Sequence, residues 1–224
     1  VRPVVIIGRW KHDDPQRRKV FRWVKGWYES HGFPVTVGTC ESDVWVKAEA
    51  FNLPADDDVV IMADADCIAP PESLKRAVEL ARRDGWATPG SKVRRITQAA
   101  TADVLASDFA MPPWDAELDQ EPHDILPGGG IVCVRRDLWE ATGFDPRFRG
   151  WGGEDWALGC ALWTLANSAA HVVAGPVWHL WHPPAEGGRV SSPETDALAW
   201  RYRKAKHRPD DMRALLAEWR GDAT

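Results

Sequence analysis

The sequence predicts an α/β fold: a mixed, mostly parallel sheet flanked by helices, followed by a helical C-terminal tail. Two observations predict it. Short apolar runs alternate with helix-period segments over residues 4–85, which is the order of a parallel sheet. Proline stands at the helix starts and glycine at the helix stops.

Residues 4–7 (Val-Val-Ile-Ile) end at Gly8 and read as a first buried strand. Asp14 and Pro15 open a helix with Val20, Trp23, Val24 and Trp27 on one face, and Gly32 stops it. Residues 33–38 read as a second strand and residues 44–51 as a short helix. Residues 59–62 (Val-Val-Ile-Met) form the next strand, which runs through Ala63 into Asp64-Ala65-Asp66. Pro70-Pro71 begins a helix with Leu74, Ala77, Val78 and Ala81 on one face and Gly85 after it. Residues 86–127 carry Pro89, Pro112, Pro113, Pro122 and Pro127, and read as an irregular excursion with one strand and a mobile loop. Gly128-Gly129-Gly130 leads into a strand at 131–134, then a short helix at 136–141 and a turn at 143–146. A helix is expected over 156–167 and a late strand over 172–178. The tail is helical over 193–220, interrupted near Pro209. The expected organisation is one domain over residues 1–190, with an extension over 191–224 packed on it.

The chain has 224 residues, a net charge of -5 and a pI of about 5.8, which offers no general electrostatic case for nucleic acid or an anionic membrane. No apolar run approaches membrane-spanning length. The four cysteines form no CxxC pair and are expected as buried, reduced thiols. The 14 tryptophans supply core, and also flat surfaces suited to sugars and bases.

Three clusters carry chemistry. Asp64 and Asp66 are one residue apart at a strand end, so both can project to the same side. Two adjacent carboxylates are costly to desolvate unless a cation sits between them, and oxygen ligands suit magnesium or manganese. A solvated turn with two surface acids is the competing reading. In Gly150-Trp151-Gly152-Gly153-Glu154-Asp155, the glycines allow a sharp turn and Trp151 offers an apolar face to a sugar ring. Glu154 and Asp155 stand where a helix begins, and its dipole favours their ionised forms. Such a carboxylate can accept a proton from an attacking hydroxyl. In Trp178-His179-Leu180-Trp181-His182-Pro183, either histidine could complete a metal site begun by the acidic pair.

The order of these features resembles glycosyltransferases of the GT-A (Rossmann-like) fold, which use a nucleotide-sugar donor. Asp64-Ala65-Asp66 resembles their DxD motif. Lys47-Ala48-Glu49-Ala50-Phe51-Asn52 resembles the K-A-x-A-x-N segment of many family 2 members. Gly128-Gly129-Gly130, Arg136, Gly143-Phe144-Asp145 and Trp151-Gly152-Gly153-Glu154-Asp155 together resemble the acceptor-side region of three groups. These are the β-1,4-galactosyltransferases, the chondroitin-polymerase-type enzymes and the polypeptide N-acetylgalactosaminyltransferases. His179 sits where those families place a metal-binding histidine. The resemblance covers about residues 3–183.

The resemblance implies Asp66 as a direct ligand of Mn²⁺ or Mg²⁺, with His179 as a further ligand. Asp64 is counted with the metal residues too, holding the ribose or a metal-bound water, and His182 would substitute for His179 or contact phosphate. Arg9, Asp43, Lys47 and Asn52 would lie on the nucleotide side. Gly129, Gly130, Trp151, Gly153 and Glu154 would hold sugar, and Asp155 would be the catalytic base. The retaining N-acetylgalactosaminyltransferases carry Asn where this chain has Asp155, so an acid there implies inversion.

UDP-sugars are the expected donors, with GDP-sugars as the alternative. The acceptor is expected to be a glycan, a protein side chain or a small molecule. A modified DNA base is supported only by the basic run at 201–208. A cytoplasmic enzyme of bacterial or phage origin, without membrane insertion, is the expected setting. Three other readings fit less well. A haloacid-dehalogenase-type phosphatase wants Thr or Val where Ile68 stands. A sugar-nucleotide pyrophosphorylase needs a richer loop than Gly8-Arg9-Trp10-Lys11. A non-catalytic carbohydrate-binding module leaves the two acidic clusters unexplained.

Overall fold

A computed structural model describes residues 3–184 and 192–221. The first half runs β1 (Val4–Trp10), α1 (Pro15–Ser30), β2 (Val35–Cys40), α2 (Lys47–Phe51), β3 (Val59–Asp64), β4 (Cys67–Ile68), α3 (Pro71–Asp84), β5 (Trp86–Thr88), β6 (Lys92–Arg95) and α4 (Gln98–Ala106). The second half runs β7 (His123–Asp124), β8 (Ile131–Arg135), α5 (Arg136–Ala141), α6 (Glu154–Ala166), β9 (His171–Val172), β10 (Pro176–His179), α7 (Pro193–Ala205) and α8 (Pro209–Arg220).

Six strands form the main sheet in the order β2-β1-β3-β8-β5-β9. The β1–β2, β1–β3 and β5–β9 pairs are parallel, while β8 runs antiparallel to both neighbours. Alternation along β1 divides the core. Val5 and Ile7 face α1 and α3, where Val20, Trp27, Leu74 and Ala77 are buried. Ile6 faces the other side, with Phe51, Trp139, Leu158 and Leu162. A third cluster joins α6, α7 and α8 through Ala161, Tyr202, Met212 and Leu216.

Two pairings position the functional residues. Gly8 pairs with Asp64, where β3 ends, and β1 continues to Trp10. His179 on β10 pairs antiparallel with Cys67 on β4, which lays the end of β10 beside Asp66. This second sheet, ordered β4-β10-β6-β7, is absent from the sequence-based reading.

The expectation for residues 86–127 is corrected: the segment holds three short strands and α4. Only Thr101 and Val104 of α4 are buried, so it carries almost no periodic signal. The expected single strand over 172–178 is two strands, β9 and β10, placed in different sheets. The expected boundary at 190/191 lies outside the described residues. All four cysteines are buried and free. Among the described residues, no helix is long and apolar enough to cross a membrane.

Candidate active site

A cavity of about 570 Å³ opens where β1 and β3 end, the side on which parallel α/β sheets bind ligands. Arg9, Lys47, Asp64 and Asp66 line it, together with Gly129, Gly130, Trp151, Glu154, Asp155, His179 and His182.

Part of the lining gathers metal-binding groups. Ligand atoms of Asp66, His179 and His182 all lie within 4.8 Å of one another. His182 Nε2 is 2.9 Å from Asp66 Oδ2, and His179 Nε2 is 3.7 Å from Asp66 Oδ1. The Cys67 thiol donates to Asp66 Oδ1 at 3.2 Å. Burial works against an Asp66 carboxylate, yet the two histidines and this thiol hold it well below the ordinary range. Burial depresses His179 to about 4, which leaves a neutral imidazole with a free lone pair. Burial is the largest influence on His182 and opposes its charge, but the hydrogen bond and the charge of Asp66 together outweigh that and raise it. Two imidazoles and a carboxylate make a mixed nitrogen–oxygen donor set, which fits a divalent transition ion such as manganese.

Asp64 lines the same cavity but has other partners. β3 ends at Asp64, and the turn through Ala65 and Asp66 breaks the strand alternation. Asp64 Oδ2 accepts from the Gly130 N–H at 3.2 Å, and Oδ1 accepts from Lys47 Nζ at 2.9 Å. Asp64 therefore stands outside the Asp66–His179–His182 cluster.

Asp155, in the first turn of α6, lines the same cavity. Lys47 Nζ lies 2.7 Å from its Oδ1. Burial raises Asp155 to about 7; Glu154 and Asp64 add to the rise, and Lys47 opposes it. The helix dipole was expected to favour the ionised form, and burial outweighs it. Lys47 is itself buried, but the charges of Asp155, Asp64 and Glu154 hold it well above its usual range. Its ammonium also sits 5.3 Å from the Phe51 ring centroid and 5.0 Å from that of Phe144.

The glycine loop shapes the surroundings of Asp155. Gly128 has φ of 88°, and a Cβ there would come within 2.1 Å of the Asp155 carbonyl oxygen. At Gly129 a Cβ would lie 2.8 Å from Asp155 Oδ2. Glu154 is buried, and its Oε2 accepts from the Gly152 N–H at 2.8 Å. Trp151 stacks on Trp45 with centroids 5.8 Å apart and meets the edge of Trp10 at 5.4 Å.

Three expected site residues lie off the cavity. Asp43 is exposed and pairs with Lys11 at 2.9 Å. Asn52 fastens a loop: its Nδ2 donates to Phe144 O at 2.7 Å, and its Oδ1 accepts from Phe144 N–H at 2.8 Å. Gly153 caps α6 against Phe148 and Ala199. Arg17, Arg95, Trp10 and Trp45 line the cavity without having been singled out. Arg95 ends β6, inside the stretch read as irregular. Arg17 reads as one more polar residue of α1. The basic run is engaged within the chain: Arg201 pairs with Glu218, Arg208 with Asp211 at 3.0 Å, and Lys206 lies 3.6 Å from the Trp163 ring centroid.

No curated protein sequence matches the chain. GalNAc-T7, solved with UDP, GalNAc and Mn²⁺, is 16% identical with a TM-score of 0.51, over 98% of this chain and 48% of that one. At that identity the likeness is one of fold. A mutant of Drosophila β1,4-galactosyltransferase 7, solved with manganese, UDP-Gal and xylobiose, is 13% identical with a TM-score of 0.40, over 77% of this chain and 65% of that one. Glucosyl-3-phosphoglycerate synthase from Mycobacterium tuberculosis, solved with Mg²⁺ and UDP, is 13% identical with a TM-score of 0.39, over 81% of this chain and 73% of that one. The profile of the glycosyltransferase-like family 2 matches residues 6–203. With that match running through nearly every strand and helix described above, the chain belongs to the glycosyltransferase-like family 2.

Proposed function

We propose that the chain is a metal-dependent glycosyltransferase that moves a sugar from a nucleotide-diphosphate sugar, a UDP-sugar in the first instance, to an acceptor hydroxyl with inversion. The observation that carries this reading is one cavity lined by two kinds of group. Asp66, His179 and His182 offer a set of metal-ligating atoms, and Asp155, outside that set, offers a carboxylate.

Asp66, His179 and His182 would hold Mn²⁺ or Mg²⁺, and the bound ion would supply Lewis-acid neutralisation of the diphosphate. Arg9, Arg17 and Arg95 line the cavity as further positive charge for the phosphates. Asp64 is placed to accept from a ribose hydroxyl. Trp151 and Glu154 hold sugar, one by its ring face and the other by its carboxylate. Asp155 takes the proton from the acceptor hydroxyl. The acceptor oxygen bonds to the anomeric carbon as the bond to the diphosphate breaks, and the electron pair leaves on the diphosphate oxygen. Attack from the face opposite the leaving group inverts the centre. A cytoplasmic setting and a glycan, protein or small-molecule acceptor remain part of this reading. A DNA base is disfavoured, because several cations of the basic run have partners within the chain.

The test is a panel of nucleotide-sugars incubated with the protein with and without Mn²⁺. Metal-dependent release of a nucleoside diphosphate from at least one donor is expected. Absence of release and of thermal stabilisation across UDP- and GDP-sugars would overturn the reading.

A further inference from the structure

We propose that Lys47 is a positioning residue for the transfer step, joining Asp64 to Asp155 and leaving one oxygen of Asp155 free to receive the acceptor proton. This rests on the reading of Asp155 as the base. The K-A-x-A-x-N resemblance puts Lys47 on the nucleotide, but the geometry points elsewhere. Its ammonium is 2.9 Å from Asp64 Oδ1 and 2.7 Å from Asp155 Oδ1, and its side chain is 7% exposed. The Phe51 and Phe144 rings flank it, so its charge has little freedom to swing toward a phosphate.

Lys47 thereby holds one oxygen of each carboxylate. Asp64 has Lys47 on Oδ1 and the Gly130 N–H on Oδ2. Asp155 has Lys47 on Oδ1, while Oδ2 lies over Gly129, where the missing side chain leaves room. One buried ammonium thus serves two carboxylates, and removing it would leave both without their counter-charge. Lys47 acts on the reaction through Asp155 without touching substrate.

The variants are Lys47→Met, Lys47→Arg, Asp155→Asn and the Lys47→Met/Asp155→Asn double variant. Transfer kinetics and UDP affinity in the presence of Mn²⁺ are measured for each. Lys47→Met is expected to lower kcat by roughly a hundredfold, the scale of a misplaced general base. Its UDP affinity should fall by much less than kcat, within about tenfold, the part carried through Asp64. Lys47→Arg, which can bridge two carboxylates, should keep about a tenth of kcat or more. On the Asp155→Asn background, Lys47→Met should cost nothing further.

Parallel loss of UDP affinity and kcat in either Lys47 variant would overturn the proposal and return Lys47 to the nucleotide. So would unchanged kcat in Lys47→Met, or a full further loss in the double variant. If Lys47→Met does not fold, Lys47→Arg decides between the same outcomes. Loss of transfer in Asp155→Asn without loss in Lys47→Met overturns the role of Lys47 alone. Near-normal turnover in Asp155→Asn overturns the base reading, and this role with it.

Discussion

His182 Nε2 lies 2.9 Å from Asp66 Oδ2, which ties the chain beyond β10 to the turn after β3. His179, three residues earlier, faces the other oxygen of the same carboxylate at 3.7 Å. Both histidines therefore face one carboxylate, and under the proposed function both would be ligands of one ion. Replacing either by Ala should weaken Mn²⁺ binding at least about tenfold, measured by titration calorimetry without donor. An effect confined to His179→Ala would remove His182 from the ligand set.

The pH dependence follows from Asp155. Burial raises it to about 7, with Glu154 and Asp64 reinforcing the rise and Lys47 opposing it. A base works only when ionised, so kcat/KM should rise with pH through about 7 and then level. An Asp155→Asn variant should lose that limb along with its activity. A flat wild-type profile between pH 5 and pH 8, on the order of the range tested for such groups, would contradict the assignment.

The two loop glycines should fail differently. Gly128 is left-handed, and a Cβ would meet backbone at 2.1 Å, so Gly128→Ala should destabilise the fold by at least about 2 kcal/mol. A Cβ on Gly129 meets the Asp155 side chain first, with Oδ2 at 2.8 Å. Gly129→Ala should therefore keep most of its thermal stability and lose kcat. Thermal melts beside kinetics separate the two.

Far from the chemistry, Tyr202 OH donates to Asp145 Oδ2 at 2.9 Å. The Arg147 guanidinium holds the same buried carboxylate at 2.7 Å. This joins α7 to the loop leading to Trp151. Tyr202→Phe should cost about 2 kcal/mol, read as a drop in Tm, because a buried acceptor loses a partner. An unchanged Tm would show that the link carries no stability.

Local physics made part of this molecule legible. Asp14 caps α1 by accepting from Gln16 and Arg17 N–H at 2.7 and 3.0 Å, and Pro15 follows at the first position. The unbroken apolar runs of β1 and β3 mark strands buried on both faces. The second sheet was not legible, because β4 and β7 have two residues each and pair with distant segments. The partnership of Lys47 with Asp155 spans 108 positions, and no spacing rule reaches across that distance. The acids of the site were visible as types at strand and helix ends. Which of them share a cation, and which share an ammonium, depended on how the turns broke their alternation.

The most direct measurement is the comparison of wild type with Asp155→Asn in one assay of sugar transfer and Mn²⁺-dependent UDP binding. The account predicts UDP affinity close to wild type, with transfer reduced by at least about a thousandfold. Near-normal transfer by Asp155→Asn, or loss of UDP binding in step with transfer, would contradict a cavity in which Asp155 serves as base apart from the Asp66–His179–His182 group.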